Sequence, residues 1–162
     1  MNETIEKAKN EFLMAKGRLC HAFATTPDDR INWSATPTAR TPVQLVAHSA
    51  NSIQHIHNMM VGKPFTVPTS AEAEVGFREI ERQYTTREEV LALLEANSNA
   101  FVAFLDALNP DQLDNMIELP YKMGQVPLHV SLAFPADHTI WHVAQLDYAQ
   151  TVYGDLDWHT GF

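Results

Sequence analysis

His138 and His142 bracket the run His138-Thr139-Ile140-Trp141-His142. On a helix that spacing stacks two imidazoles on one face, one turn apart, close enough for both to ligate one ion. The competing reading is a solvated or core-lining pair. Zinc-protease chemistry is excluded, because it needs a glutamate directly after the first histidine as general base, and Thr139 stands there. Di-iron carboxylate chemistry is excluded too, since no glutamate in the chain is followed by a histidine three residues later. A mononuclear site remains, and its third ligand must come from another helix. His48, within Leu45-Val46-Ala47-His48-Ser49, is the candidate. His55 falls on roughly the same face but ~10 Å further along the axis, so it can line the same cavity without sharing the ion. His57 turns away from that face.

Three neutral imidazoles leave a divalent ion its full charge and at least one open coordination position, the pattern of catalytic rather than structural zinc sites. Water or a thiolate fills that position; the ion lowers the pKa of bound water toward ~7 or deprotonates a coordinated thiol. Hydrolysis and group transfer are equally accessible to such a nucleophile. Gln145, three residues after His142, either hydrogen-bonds a ligand or metal-bound water, or joins two helices. Imidazoles alone do not choose among zinc, nickel, copper and iron.

Four helices have to position these residues. Ile5, Ala8, Phe12, Ala15, Leu19 and Ala22 recur at spacings of three and four, which predicts a helix over about 3–24 with one buried stripe. The second helix opens at Thr41-Pro42-Val43-Gln44, where threonine caps, proline takes the first helical position and glutamine completes a capping box, and it runs to about residue 61. Thr86-Arg87-Glu88-Glu89 repeats the capping box and leads Leu91, Leu94, Ser98, Phe101, Leu105 and Leu108 along one seam, up to Asn109-Pro110. The last helix, over about 135–153, stops at Gly154 and carries His138, His142, Gln145, Ala149 and Val152 on one face, so ligand-type groups point where a core face belongs. The connections 62–85 and 109–134 are too long to be structureless in a compact domain. The first is expected to hold a short helix near 71–81, the second extended pieces at 117–119 and 128–130. Crossovers of this length argue against up-down-up-down wiring.

A chain of 162 residues, 45% hydrophobic and 19% charged, is the size of one domain with its own core. Its formal charge of −9 repels phosphate backbones and anionic bilayers, so neither nucleic acid nor a membrane is expected as a partner. Cys20 is the only cysteine, which fits a reducing, cytoplasmic setting. The charged N-terminal stretch is not a signal peptide, and no window approaches ~18 uninterrupted apolar residues.

Thr41-Pro42-x-Gln44-Leu45-x-x-His48, together with His138-x-x-x-His142-x-x-Gln145 and Tyr153-Gly154-Asp155, resembles the DinB/YfiT superfamily of metalloenzymes. The likeness runs from the first helix to Gly154 and departs from the common pattern at Val143-Ala144, where Arg-Gly is frequent. It implies a four-helix bundle wired up-down-down-up, with a metal, zinc or nickel, held by His48, His138 and His142. It also implies relatives that activate a low-molecular-weight thiol, in transferases and an isomerase.

The expectation is therefore an all-α bundle that acts as a divalent-metal-dependent transferase or hydrolase on a small molecule, with a low-molecular-weight thiol as a possible cosubstrate. The alternative is a non-catalytic metal- or ligand-binding stress protein, and a third is a dimeric scaffold with empty histidines. A homodimer is the expected assembly, being the commonest oligomer. Among the remaining side chains, Asp137 fits the negative charge favoured in a first helical turn, and Trp141 and Tyr148 read as core aromatics. Trp33 reads as a loop anchor and Cys20 as a small buried hydrophobe, with Met59-Met60 as packing. His21, His129 and His159 read as surface or loop residues.

Overall fold

The computed structural model describes residues 2–63 and 66–159. Six helices follow one another: α1 (Glu3–Thr25), α2 (Pro42–Met60), α3 (Ser70–Glu81), α4 (Arg87–Ala107), α5 (Leu128–Ser131) and α6 (Phe134–Val152). Both predicted capping boxes are in place. Thr41 accepts from the Gln44 amide while the Gln44 side chain accepts from the Thr41 amide, and Thr86 and Glu89 do the same for α4, each box satisfying amides that a helix start leaves without partners. Asp137 sits in the first turn of α6.

The side chains fix the wiring. Lys9 pairs with Asp106 and Lys16 with Glu95, while Arg87 donates to the Phe23 carbonyl, so α1 and α4 run antiparallel. Asn97 donates to the Ala50 carbonyl at 2.9 Å, and the His57 ring lies 4.9 Å from that of Phe104, so α2 and α4 run parallel. Trp33, just ahead of α2, meets Tyr153, just past α6, edge to face, and Ser49 approaches Thr139, so α6 runs antiparallel to α2. The bundle is up-down-down-up. A parallel neighbour pair cannot be joined by a short loop, and this is why the chain needs α3 between α2 and α4.

The core lies between the four long helices. The predicted stripe of α1 is buried as a unit, and Phe12 meets Phe101 of α4 edge to face at 5.0 Å. Gln150, fully buried in α6, donates to the Ala22 carbonyl and to the hydroxyls of Thr25 and Thr26, tying together the C-terminal ends of α1 and α6. Met59 and Met60 are buried, and Cys20 packs half-buried against the core with its thiol pKa pushed up by that burial, Lys16 offsetting it in part. By length and composition α4 would suffice to cross a membrane. Here its Val90, Leu94, Phe101 and Leu105 are buried in the core.

Two expectations need correction. The extended pieces do form, as an antiparallel pair, but they are β1 (Met116–Glu118) and β2 (Gln125–Pro127), with Ile117 opposite Val126. Residues 128–130 instead begin α5, because Pro127 supplies an extended N-cap and ends the ladder. Trp141 and Tyr148 are not core aromatics, being 67% and 71% exposed. Seven-residue spacing puts them on one stripe of α6, and that stripe faces away from the bundle because the opposite one, with Thr139, Val143, Leu146 and Gln150, is the face that packs.

Removing the Phe12 ring tests the core. Phe12→Ala should cost about 3–5 kcal/mol, the range for emptying a buried aromatic site, read as a lower urea midpoint at unchanged slope.

Candidate metal centre

His48 sits at the second turn of α2, and His138 and His142 lie one turn apart near the start of α6. Since α2 and α6 are neighbours running antiparallel, the three meet: one ring nitrogen from each lies within 4.8 Å of the others, and Nε2 of His138 is 3.4 Å from Nε2 of His142. Ligands around a tetrahedral ion with metal–nitrogen distances of 2.0–2.1 Å stand about 3.3–3.4 Å apart, so this pair is already at ligand spacing. Without an ion, His138 Nε2–H can donate across that gap to His142 Nε2; an ion there would take both nitrogens as ligands. Among the described residues, no aspartate, glutamate or cysteine joins the group.

The far edges of two rings are held. His48 Nδ1 lies 2.5 Å from Glu81 Oε1 and 3.1 Å from the Arg40 guanidinium. A carboxylate only accepts and a guanidinium only donates, so the ring donates Nδ1–H to Glu81, and its closeness to Arg40 reflects their shared acceptor. That tautomer leaves Nε2 free as a donor atom for a metal. Gln145 Oε1 accepts from His142 Nδ1 at 2.9 Å, which leaves Nε2 of that ring free as well. His138 Nδ1 is buried and has no hydrogen-bond partner among the described residues. Burial, reinforced by the neighbouring histidines, pushes the His138 pKa down to about 3 and that of His142 down to about 4, with Gln145 opposing slightly in the latter. Both rings are neutral at physiological pH, the form that binds metal.

Glu81 ends α3 and is 1% exposed. Burial acts to raise its pKa, but hydrogen bonds from His48 and Arg40 outweigh it and hold the carboxyl below its usual range. Arg40 grips both carboxylate oxygens, at 2.6 and 2.9 Å, and reaches Glu74 at 2.9 Å; Glu74 also accepts from Arg78, which in turn donates to the Thr38 carbonyl. These charges come from the loop before α2 and from a crossover helix. Sequence reasoning passed over Arg40 and Glu81. The available signal was the need of any ligating imidazole for an acceptor on its second nitrogen, but four glutamates share α3 and no spacing singles out the last.

Two cavities flank the site. One of about 200 Å3 is walled in part by His48, His138 and Phe77, and His55 lines it as expected, 5.5 Å from the Phe77 ring. The other, of about 460 Å3, lies behind the imidazoles, bordered by Arg40, Gln145, Trp33 and Tyr148. Trp33 anchors its loop through Tyr153, with Arg30 over the Tyr153 ring. His57 turns to Phe101 and Phe104, away from the site. His21 and His129 are exposed, and His159 pairs with Asp155 at 2.8 Å.

Solved structures share this architecture. YfiT from Bacillus subtilis, described as a probable metal-dependent hydrolase with an unusual four-helix bundle topology, superposes with a TM-score of 0.72 at 18% identity, over 95% of this chain and 90% of its own. A conserved protein from Enterococcus faecalis matches at 0.69 and 17% identity, over 95% and 99% of the two chains. DfsB, a sibling lethal factor precursor, matches at 0.73 and 14%, again over 95% and 99%. No curated protein matches the chain by sequence. The sequence model of the DinB superfamily matches residues 11–146, which takes in all three histidines, the whole of α2 and α4, and most of α1 and α6; the chain belongs to the DinB superfamily.

Proposed function

We propose that the protein is a divalent-metal-dependent enzyme, hydrolysing a small molecule or transferring a group to or from it, with the ion held by His48, His138 and His142. The observation that carries this is the convergence of three imidazoles, two of them fixed from behind by Glu81 and Gln145, with His48 and His138 walling a cavity in front. Three imidazoles suit several divalent ions, and the resemblance to the DinB superfamily favours zinc or nickel among them. A divalent ion in such a site supplies Lewis acidity and a nucleophile at neutral pH. The chain's own groups do the rest. Glu81 and Gln145 set two ring tautomers and orientations, and the cavity offers space for a small substrate beside His48 and His138. The description of YfiT supports the hydrolytic form; a low-molecular-weight thiol as nucleophile gives the transferase form. A non-catalytic metal-binding protein would more naturally close the ion's shell with a fourth side chain, and none joins the three among the described residues.

Elemental analysis of untagged protein should give close to one equivalent of zinc or nickel, lost in His48→Ala and in His142→Ala. A wild type that stays metal-free after reconstitution overturns the proposal.

Glu81→Gln keeps an acceptor for His48 but removes the charge, and metal affinity should fall about 10- to 100-fold, the range for losing a group that orients a ligand. Competition with a chromophoric chelator reads this directly.

Acid should act on the metal-free protein through the same rings. The folded-state pKa values of His138 and His142, about 3 and about 4, lie below the ordinary 6.5, so between these limits the unfolded chain binds more protons. Stability is therefore full above pH 6.5 and declines as pH falls toward 4. Thermal unfolding in chelator across this range should show the decline, and a variant with leucine at both positions should flatten it.

A further inference from the structure

The cavity in front of the imidazoles has a chemical character that narrows what can enter it. Its apolar wall comes from three directions: Ile56 and Met59 from α2, Phe77 from α3, and Pro120 from the turn between β1 and β2. Its polar groups, apart from the metal-site histidines, are the Ser52 hydroxyl, the His55 imidazole and the Tyr121 phenol. Among the described residues, no lysine, arginine, aspartate or glutamate lines it. Burial, and then the neighbouring His48, lower the His55 pKa, so that ring adds no charge at neutral pH. Tyr121 reaches the cavity from backbone that side chains rarely adopt, with φ of 58° there and 60° at Lys122.

Two magnitudes follow. A volume of about 200 Å3 lies below the ~300–1,000 Å3 of sites for drug-sized ligands, so the occupant is small. A charged group carried into the apolar end, among Ile56, Met59 and Phe77, would lose its hydration with no charged side chain of the lining to replace it, which costs far more than an apolar group gains there; Glu74, whose charge reaches Tyr121, is already taken by Arg40 and Arg78. The larger cavity behind the site offers no escape, because its Arg40 and Arg78 are already neutralised by Glu74 and Glu81.

We propose that this cavity selects small, uncharged molecules with an apolar body and a single polar head directed at the three histidines, and rejects those carrying a carboxylate or an ammonium group at the far end. The selection rests on the metal reading above for the direction of the head, and on the cavity wall for the rest.

Hydroxamates separate the two. Protein reconstituted with Co2+ is titrated, by its visible absorption, with butanehydroxamic acid, succinic monohydroxamic acid and 4-aminobutanehydroxamic acid, which share the metal-seeking head and differ in the tail. Butanehydroxamate should bind at least ten-fold more tightly than either charged analogue. Ile56→Lys should narrow or reverse the difference for the succinic compound alone. Equal or tighter binding of a charged analogue to the wild type overturns the selection while leaving the metal centre intact, and this comparison needs no variant to fold. Failure to take up Co2+ overturns the metal reading and the head-group direction with it.

Discussion

One carboxylate ties the site to the fold. Glu81 is almost without solvent contact, and it stays ionised because Arg40 and His48 both donate to it. A buried charge survives only with such compensation, so these three residues need one another. They come from the loop before α2, from α2, and from the last residue of α3. Beyond Glu81, only Ala73 of α3 is buried, so the helix has little apolar area to hold it on the bundle. Its seat is largely electrostatic: Arg40 on Glu74 and Glu81, and Arg78 on the Thr38 carbonyl. The residue that orients His48 is thus also the residue that docks the crossover helix, and Phe77 rides with it into the cavity wall.

The three imidazoles are supported unequally. His48 leans on a carboxylate and His142 on an amide, while His138 has a buried Nδ1 with no partner among the described residues. A carboxylate partner makes an imidazole a stronger electron donor toward a metal than an amide does, and only the ring on α2 has one. His48 and His138 wall the small apolar chamber, while the larger, aromatic-edged one is lined by Arg40 and Gln145, the partners of His48 and His142.

The long helices were legible because their signals are local. Thr41, Thr86 and the apolar stripe of α1 each write a boundary or a face within a few residues, and both capping boxes form as expected. The histidine pair was legible because one helical turn is a short distance in sequence; His48 followed from the need for a second helix. Glu81 and Arg40 were not, because Glu81 meets His48 across 33 residues through a crossover whose path periodicity does not encode, and Arg40 meets it across 8 from an irregular loop ahead of α2. Trp141 and Tyr148 misled for a related reason. α6 is apolar on more than one side, so periodicity shows a helix without showing which side is inward, and the buried choice is made by Thr139, Val143, Leu146 and Gln150. The short strands were displaced by a few residues because Pro127 ends one element and starts the next.

The parallel course of α1 and α6 reaches into the topology of the chain as a whole. In a bundle that alternates up and down, the first and last helices leave their outer ends side by side, and a short linker could join them. Here Gln150 meets Ala22 near the C-terminal ends of both helices, so the start of α1 and the finish of α6 lie at opposite poles. The 23 residues of α1 set that separation at roughly 35 Å, which about ten fully extended residues would be needed to span. Circular permutation of this fold therefore demands a strap running the full length of the bundle.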